Sequence, residues 1–172
     1  MAYPLCRRDQ EILACLRENG RQSLTLIGRK TRTPVSTAFD RLRVLEAEVI
    51  RKHSSLLDFL KLGYLAHAFL VLGTRTRAER DDLAESLKRQ FCVNGVFRIC
   101  SMSDQHLLVV EVVLPGLMDL EHFLDEVNGK YEVVEQQVLH VSEELLREGF
   151  LADRETVAFV PAGQRRLEEV TR

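Results

Sequence analysis

Residues 32–45 read Arg32-Thr33-Pro34-Val35-Ser36-Thr37-Ala38-Phe39-Asp40-Arg41-Leu42-Arg43-Val44-Leu45. The stretch opens like a helix. Thr33 is placed to cap the first orphan amides, and Pro34 stands where a missing N–H costs nothing. Ala38, Leu42 and Leu45 then fall at i, i+4 and i+7, an apolar stripe. Ser36, Thr37, Asp40, Arg41 and Arg43 occupy the other side. Small hydroxyls in the first turn and arginines further along suit a helix in a DNA major groove. The first turn can approach phosphates or base edges, and the arginines can reach the backbone. An ordinary surface helix has the same amphipathy, so the flanking segments must decide.

Upstream, Arg8 to Glu18 reads as a helix with Ile12, Leu13, Cys15 and Leu16 on its buried side. Asn19-Gly20 should stop it, since both residues tolerate the left-handed conformation. Ser23 is a candidate cap for a short second helix, Leu24 to Thr31, with Leu24 and Ile27 inward and Gly28 at a close helix crossing. Arg29, Lys30 and Arg32 cluster at its end. Three short helices with a tight turn before the third make a helix-turn-helix unit.

Downstream, Val49-Ile50 enters an extended segment, and residues 51–63 form a linker without strong periodicity. Alternation then begins. Leu65–Leu72 is a strand, and Arg77–Phe91 a helix with Leu83 and Leu87 inward and Phe91 following. Val93–Ser101 and His106–Leu114 are strands around the turn Met102–Gln105. Leu117–Val127 is a helix using Leu117, Leu120, Phe123, Leu124 and Val127, and Glu132–Val141 is a fourth strand. The order βαββαβ predicts a ferredoxin-like sandwich, one antiparallel sheet with two helices on one face. Its other face is mostly apolar, which predicts a symmetric dimer. The fold class is thus α+β. Residues 1–50 form a helix-turn-helix (winged-helix-like) head, 51–63 a linker, 64–142 a ferredoxin-like oligomerisation and effector body, and 143–172 an extension. Within that extension Glu143–Phe150 reads as a helix capped by Ser142, and Thr156–Val160 has β character.

Composition agrees with this division. The 172 residues are 45% apolar and 29% charged, with a net charge of −2. Residues 1–58 carry 11 Lys and Arg against 7 Asp and Glu, and the rest 13 against 19. A basic front and an acidic rear fit a DNA-reading head on a separate body. Cys6, Cys15, Cys92 and Cys100 make no CxxC pair, and the five histidines make no HxxxH pattern, so no metal or cofactor is expected. The longest apolar run, Leu65 to Gly73, falls far short of the roughly 20 residues a membrane helix needs. No basic-then-apolar leader pattern opens the chain, and a cytoplasmic protein without membrane partners is expected.

Residues 7 to 141 resemble the leucine-responsive regulatory protein/AsnC (feast/famine) family of transcription regulators. The head carries the pattern in Asp9-x-x-Ile12-Leu13-x-x-Leu16-x-Glu18-Asn19-Gly20-Arg21, then Ser36-Thr37 and Arg41-Leu42-x-x-Leu45-Glu46. Leu56-Leu57-Asp58 and Lys61-Leu62-Gly63-Tyr64 match its linker. The resemblance implies that Ser36, Thr37, Arg41 and Arg43 face double-stranded DNA, and that Arg21 and Ser23 touch phosphates. Arg32 joins this candidate set, although the family usually has glycine there. The resemblance also implies dimers, with tetramers and octamers left open, and a small-molecule effector at dimer interfaces near Met102, Ser103, Asp104 and Gln105. In that turn Met102 replaces a glycine and Gln105 an acid, which argues against a free amino acid as effector.

Two alternatives use the same architecture. One is an enzyme resembling the sirohaem decarboxylases, with His67, His106 and His140 lining a tetrapyrrole pocket. The other is a regulator acting mainly through protein partners of the acidic body. The sequence holds no catalytic constellation, so a non-enzymatic regulator is the principal expectation.

Overall fold

A computed structural model describes residues 3–100, 106–145 and 147. It divides between Leu56 and Leu57 into a helical head and a body spanning Leu57–Glu144.

The head holds α1 (Arg7–Glu18), α2 (Leu24–Thr31) and α3 (Val35–Glu48). Ile12, Leu13, Cys15, Ile27 and Leu45 form its core, with Leu5, Leu16, Val49 and Ile50 packed around them. Ala38 is fully buried and Leu42 half-buried, as the stripe requires. Ser23 caps α2 by accepting the Leu26 N–H at 3.2 Å. Gly28 sits at the expected crossing. Its carbonyl accepts the Thr33 N–H at 2.8 Å, and a Cβ there would lie 2.7 Å from the Thr33 carbonyl oxygen.

Two local expectations fail. Thr33 does not cap α3. Pro34 is the cap residue, while the buried Thr33 hydroxyl donates to the Thr31 carbonyl at 3.2 Å. The turn thus closes back onto α2. Asn19-Gly20 stops α1 without a left-handed residue. Asn19 is extended (φ −156°), and its side-chain oxygen accepts the Arg21 N–H at 2.9 Å. The side chain supplies the turn that a positive φ would otherwise make.

The left-handed conformation appears instead at Arg32 (φ 51°, ψ 41°), the cap that ends α2. A Cβ there crowds the carbonyl that follows it. Arg32→Gly is expected to stabilise the head by about 0.5–1 kcal/mol, after allowing for glycine's greater freedom when unfolded. A thermal midpoint that stays level or drops would show that the turn carries no such strain.

The body holds β1 (Ala66–Thr74), α4 (Arg77–Leu87), β2 (Val93–Ile99), β3 (His106–Leu114), α5 (Leu117–Lys130) and β4 (Glu135–His140). The sheet order is β2-β3-β1-β4, with every neighbouring pair antiparallel. This is the expected ferredoxin-like arrangement. Alternation along β1 sends Ala66, Ala68, Leu70 and Leu72 to the helix face. There they join Leu108, Val110, Val112 and Leu114 of β3, Leu83, Ala84 and Leu87 of α4, and Leu120, Phe123 and Val127 of α5.

Element ends differ where the chain turns. Thr76 and Glu79 cap the start of α4 reciprocally, at 3.2 and 3.0 Å. The helix ends at Leu87, short of Phe91, because the chain tightens into turns there. Arg89 N–H bonds the Ser86 carbonyl and Gln90 N–H the Leu87 carbonyl. Cys92 is buried, and Phe91 is left 87% exposed. Leu117, expected in the core, is 60% exposed, and β4 begins at Glu135, not Glu132. Glu143 to Leu145 are not helical. The rest of the expected terminal helix apart from residue 147, the Thr156–Val160 segment and the turn Met102–Gln105 lie outside the described residues.

The second sheet face carries Phe69 and Val71 of β1, Leu107, Val109 and Val113 of β3, Phe97 and Ile99 of β2, and Leu139 of β4. Phe97, Ile99 and Leu139 are 40–52% exposed. The face is not purely apolar. Glu111, 6% exposed, meets His67 Nε2 at 2.9 Å and accepts from Asn94 at 2.7 Å. Phe59, from the turn before β1, sets its ring edge-on to His67 at 5.3 Å.

Candidate nucleic-acid interface

The candidate DNA-facing residues gather on the helix-turn-helix unit, with one exception in how they are held. Arg21 is exposed at the approach to α2, and Ser23 is exposed while its hydroxyl oxygen caps the helix. Arg32 is exposed in the turn. Ser36 and Arg43 are exposed on α3, and Thr37 is half-buried. Arg29 adds an exposed cation in the last turn of α2, whereas Lys30 is paired with Glu18 at 2.7 Å.

Arg41 is the exception. Its Nε donates to Asp9 Oδ1 at 2.7 Å and its Nη2 donates to Asp9 Oδ2. Asp9 is fully buried and also accepts the Cys6 N–H at 3.1 Å. Burial pushes the Asp9 carboxyl up. The hydrogen bonds from Arg41 and Cys6 outweigh that and hold it below its ordinary value of 3.8. The same bonds push the Arg41 guanidinium further up. The expectation that Arg41 faces DNA thus meets a fork already closed on a carboxylate. Arg41 ties the middle of α3 to the first turn of α1 and so fixes how α3 is presented.

The sequence reading missed this pairing and the character of the outward strip. Val35 and Phe39 are 44% and 45% exposed beside Ser36 and Arg43. The Arg43 guanidinium lies over the Phe39 ring, 5.9 Å from its centre, a contact worth about 0.5–1 kcal/mol where exposed. A signal for the strip was available, since Val35, Phe39 and Arg43 repeat at i, i+4 and i+8, off the Ala38 stripe. Asp9 gave only the first-turn acid of a helix.

The three strand histidines do not converge. His106 pairs with Thr74 and His140 with Ala68, six residues apart along β1, or roughly 20 Å. A groove of about 760 Å³ beside the start of α5 is lined by His67, His140 and Asp119, among others, but not by His106. Among the described residues no group of His, Cys, Asp and Glu could hold a metal. No helix there is long and apolar enough to cross a membrane.

No family model matches the chain. An HTH-type transcriptional regulator of Pyrococcus furiosus is 31% identical over 125 residues, covering 72% of this chain and 82% of its own length. A regulator of Pyrococcus abyssi is 30% identical over 126 residues, covering 72% of this chain and 77% of its own length. AsnC of E. coli shares the fold over 84% of this chain and 97% of its own, with a TM-score of 0.72 and 16% identity. The chain belongs to the AsnC/Lrp family of helix-turn-helix transcriptional regulators. A further family structure, a regulator of Neisseria meningitidis solved as an L-Met complex, matches this AsnC/Lrp protein with a TM-score of 0.73 and 22% identity. That match covers 84% of this chain and 94% of the Neisseria one.

Proposed function

We propose that this AsnC/Lrp protein is a cytoplasmic, sequence-specific DNA-binding regulator that works as a homodimer or a higher oligomer, and not as an enzyme. The observation that carries the reading is the outward strip of α3, braced from beneath by the Asp9–Arg41 pair. Ser36, Thr37 and Arg43 face the major groove, while Arg21, Ser23 and Arg32 hold phosphates and set the register. Dimerisation through the second sheet face is supported by its exposed Phe97, Ile99 and Leu139. Two linked heads gain the avidity that one lacks. Control by a small-molecule effector at the interface, near Met102, Ser103, Asp104 and Gln105, completes the proposal. Its support is that the Neisseria regulator forms an L-Met complex, while Met102 and Gln105 in this chain argue for a ligand other than a free amino acid.

The test is DNA titration after selection of duplexes from a random-sequence pool. Arg43→Ala is expected to lower affinity for the selected duplex by about tenfold or more. Unchanged affinity in Arg43→Ala and Ser36→Ala alike would remove α3 from the interface.

A further inference from the structure

α3 presents two kinds of chemistry to the outside. Hydroxyls and cations, from Ser36 and Arg43 on the helix and Arg32 in the turn before it, are what a phosphate or a polar base edge requires. Val35 and Phe39 are not. Each leaves nearly half its surface in water, and they stand one turn apart on the same strip. The patch is too small for a stable protein interface, which takes about 800 Å² per partner. Arg43 lies over its Phe39 ring, and Arg29 and Arg32 are exposed at the end of α2 and in the turn, against one exposed acid, Asp40, in the first two turns of α3, a balance that suits an anionic occupant around an apolar spot. The major groove offers one such feature, the C5 methyl group of thymine, which cytosine lacks.

We propose that Val35 and Phe39 select thymine in each half-site through its C5 methyl group, with Arg43 braced over the Phe39 ring to reach the neighbouring backbone or base edge. The inference rests on the DNA-binding reading above and adds to it which bases the apolar strip prefers. Val35 and Phe39 are four residues apart, or roughly 6 Å along the helix. Successive bases on one strand are about 3.4 Å apart. The two side chains therefore meet methyl groups about two base-pair steps apart where the helix follows the groove. Arg43, held against the ring, has less freedom to lose on binding than a free arginine.

The test uses the full chain and a duplex selected from a random-sequence pool. That duplex is remade with deoxyuridine in place of thymine, one position at a time, which removes only the methyl group. The wild-type chain is expected to lose about fourfold or more in affinity at one or two positions per half-site. Phe39→Ala is expected to bind the thymine duplex more weakly and to lose nothing further on the uracil substitution that costs the wild type most. Phe39→Leu, which keeps an apolar contact, is expected to retain part of the discrimination. Tight binding to every uracil duplex by the wild type, with DNA binding otherwise intact, would overturn the inference and leave the DNA-binding reading standing. Failure to enrich any duplex would overturn both.

Discussion

Arg41→Ala is expected to unfold the head more readily than Asp9→Ala, although the two remove the same ion pair. The difference lies in what each leaves behind. Without Arg41, the Asp9 carboxylate, fully buried in the intact head, keeps only its bonds to Cys6, and taking the partner from a buried charge costs about 3–5 kcal/mol. Without Asp9, the guanidinium, already 34% exposed, can turn to water, and the cost falls to about 2 kcal/mol. The double variant should lie well short of the sum. Thermal or denaturant unfolding of the four proteins measures this, and equal losses for the two single variants would show that the carboxylate is not stranded. Acid supplies a second readout. The Asp9 carboxyl is held below 3.8 in the folded head, so its stabilisation is complete above that pH. It is lost as pH falls through the depressed value. Asp9→Asn should flatten that acid limb. DNA affinity of an Arg41 variant has meaning only where the head is folded, because loss of the strut and loss of a contact would otherwise look alike.

On the proposed dimer, Val109→Asp is expected to give monomers and to cost at least about 100-fold in affinity for a two-half-site duplex. Val109 lies mid-sheet, paired with Val71 on one side and Phe97 on the other. A carboxylate there would have to be buried without a partner between two apolar faces, at a cost of several kcal/mol. Within one protomer the position is half-buried on the face away from α4 and α5, so the fold should survive, as circular dichroism can verify. Light scattering gives the mass and titration the affinity. A Val109→Asp protein with the mass of the wild type would overturn dimerisation through this face.

Much of the architecture was legible because its causes are local. The bounds of α2 follow from the Ser23 cap and the apolar positions beside it, and those of β3 from a β-branched run closed by Pro115-Gly116. The order of strands and helices was enough to select the sheet topology. Misreadings arose where a local signal met a competing partner. Thr33 has the chemistry of a cap, but its hydroxyl is used by the Thr31 carbonyl. Phe91 has the spacing of a core residue, but α4 stops before it. The candidate site was legible as a set of residues on one helix and its flanks. Its division into strut and probe was not.

Periodicity by itself determined the order of helices and strands through β4 and the apolar underside of α3, though not every cap or end. Only the tertiary structure decided what two arginines on that helix do. Arg41 and Arg43 are chemically the same and two positions apart, which on an α-helix turns one side chain roughly 200° from the other. One finds a carboxylate 32 residues away in sequence, and the other finds an aromatic ring and solvent. No pattern along the chain carries that choice, because it depends on which surface the packed head happens to place beneath each of them.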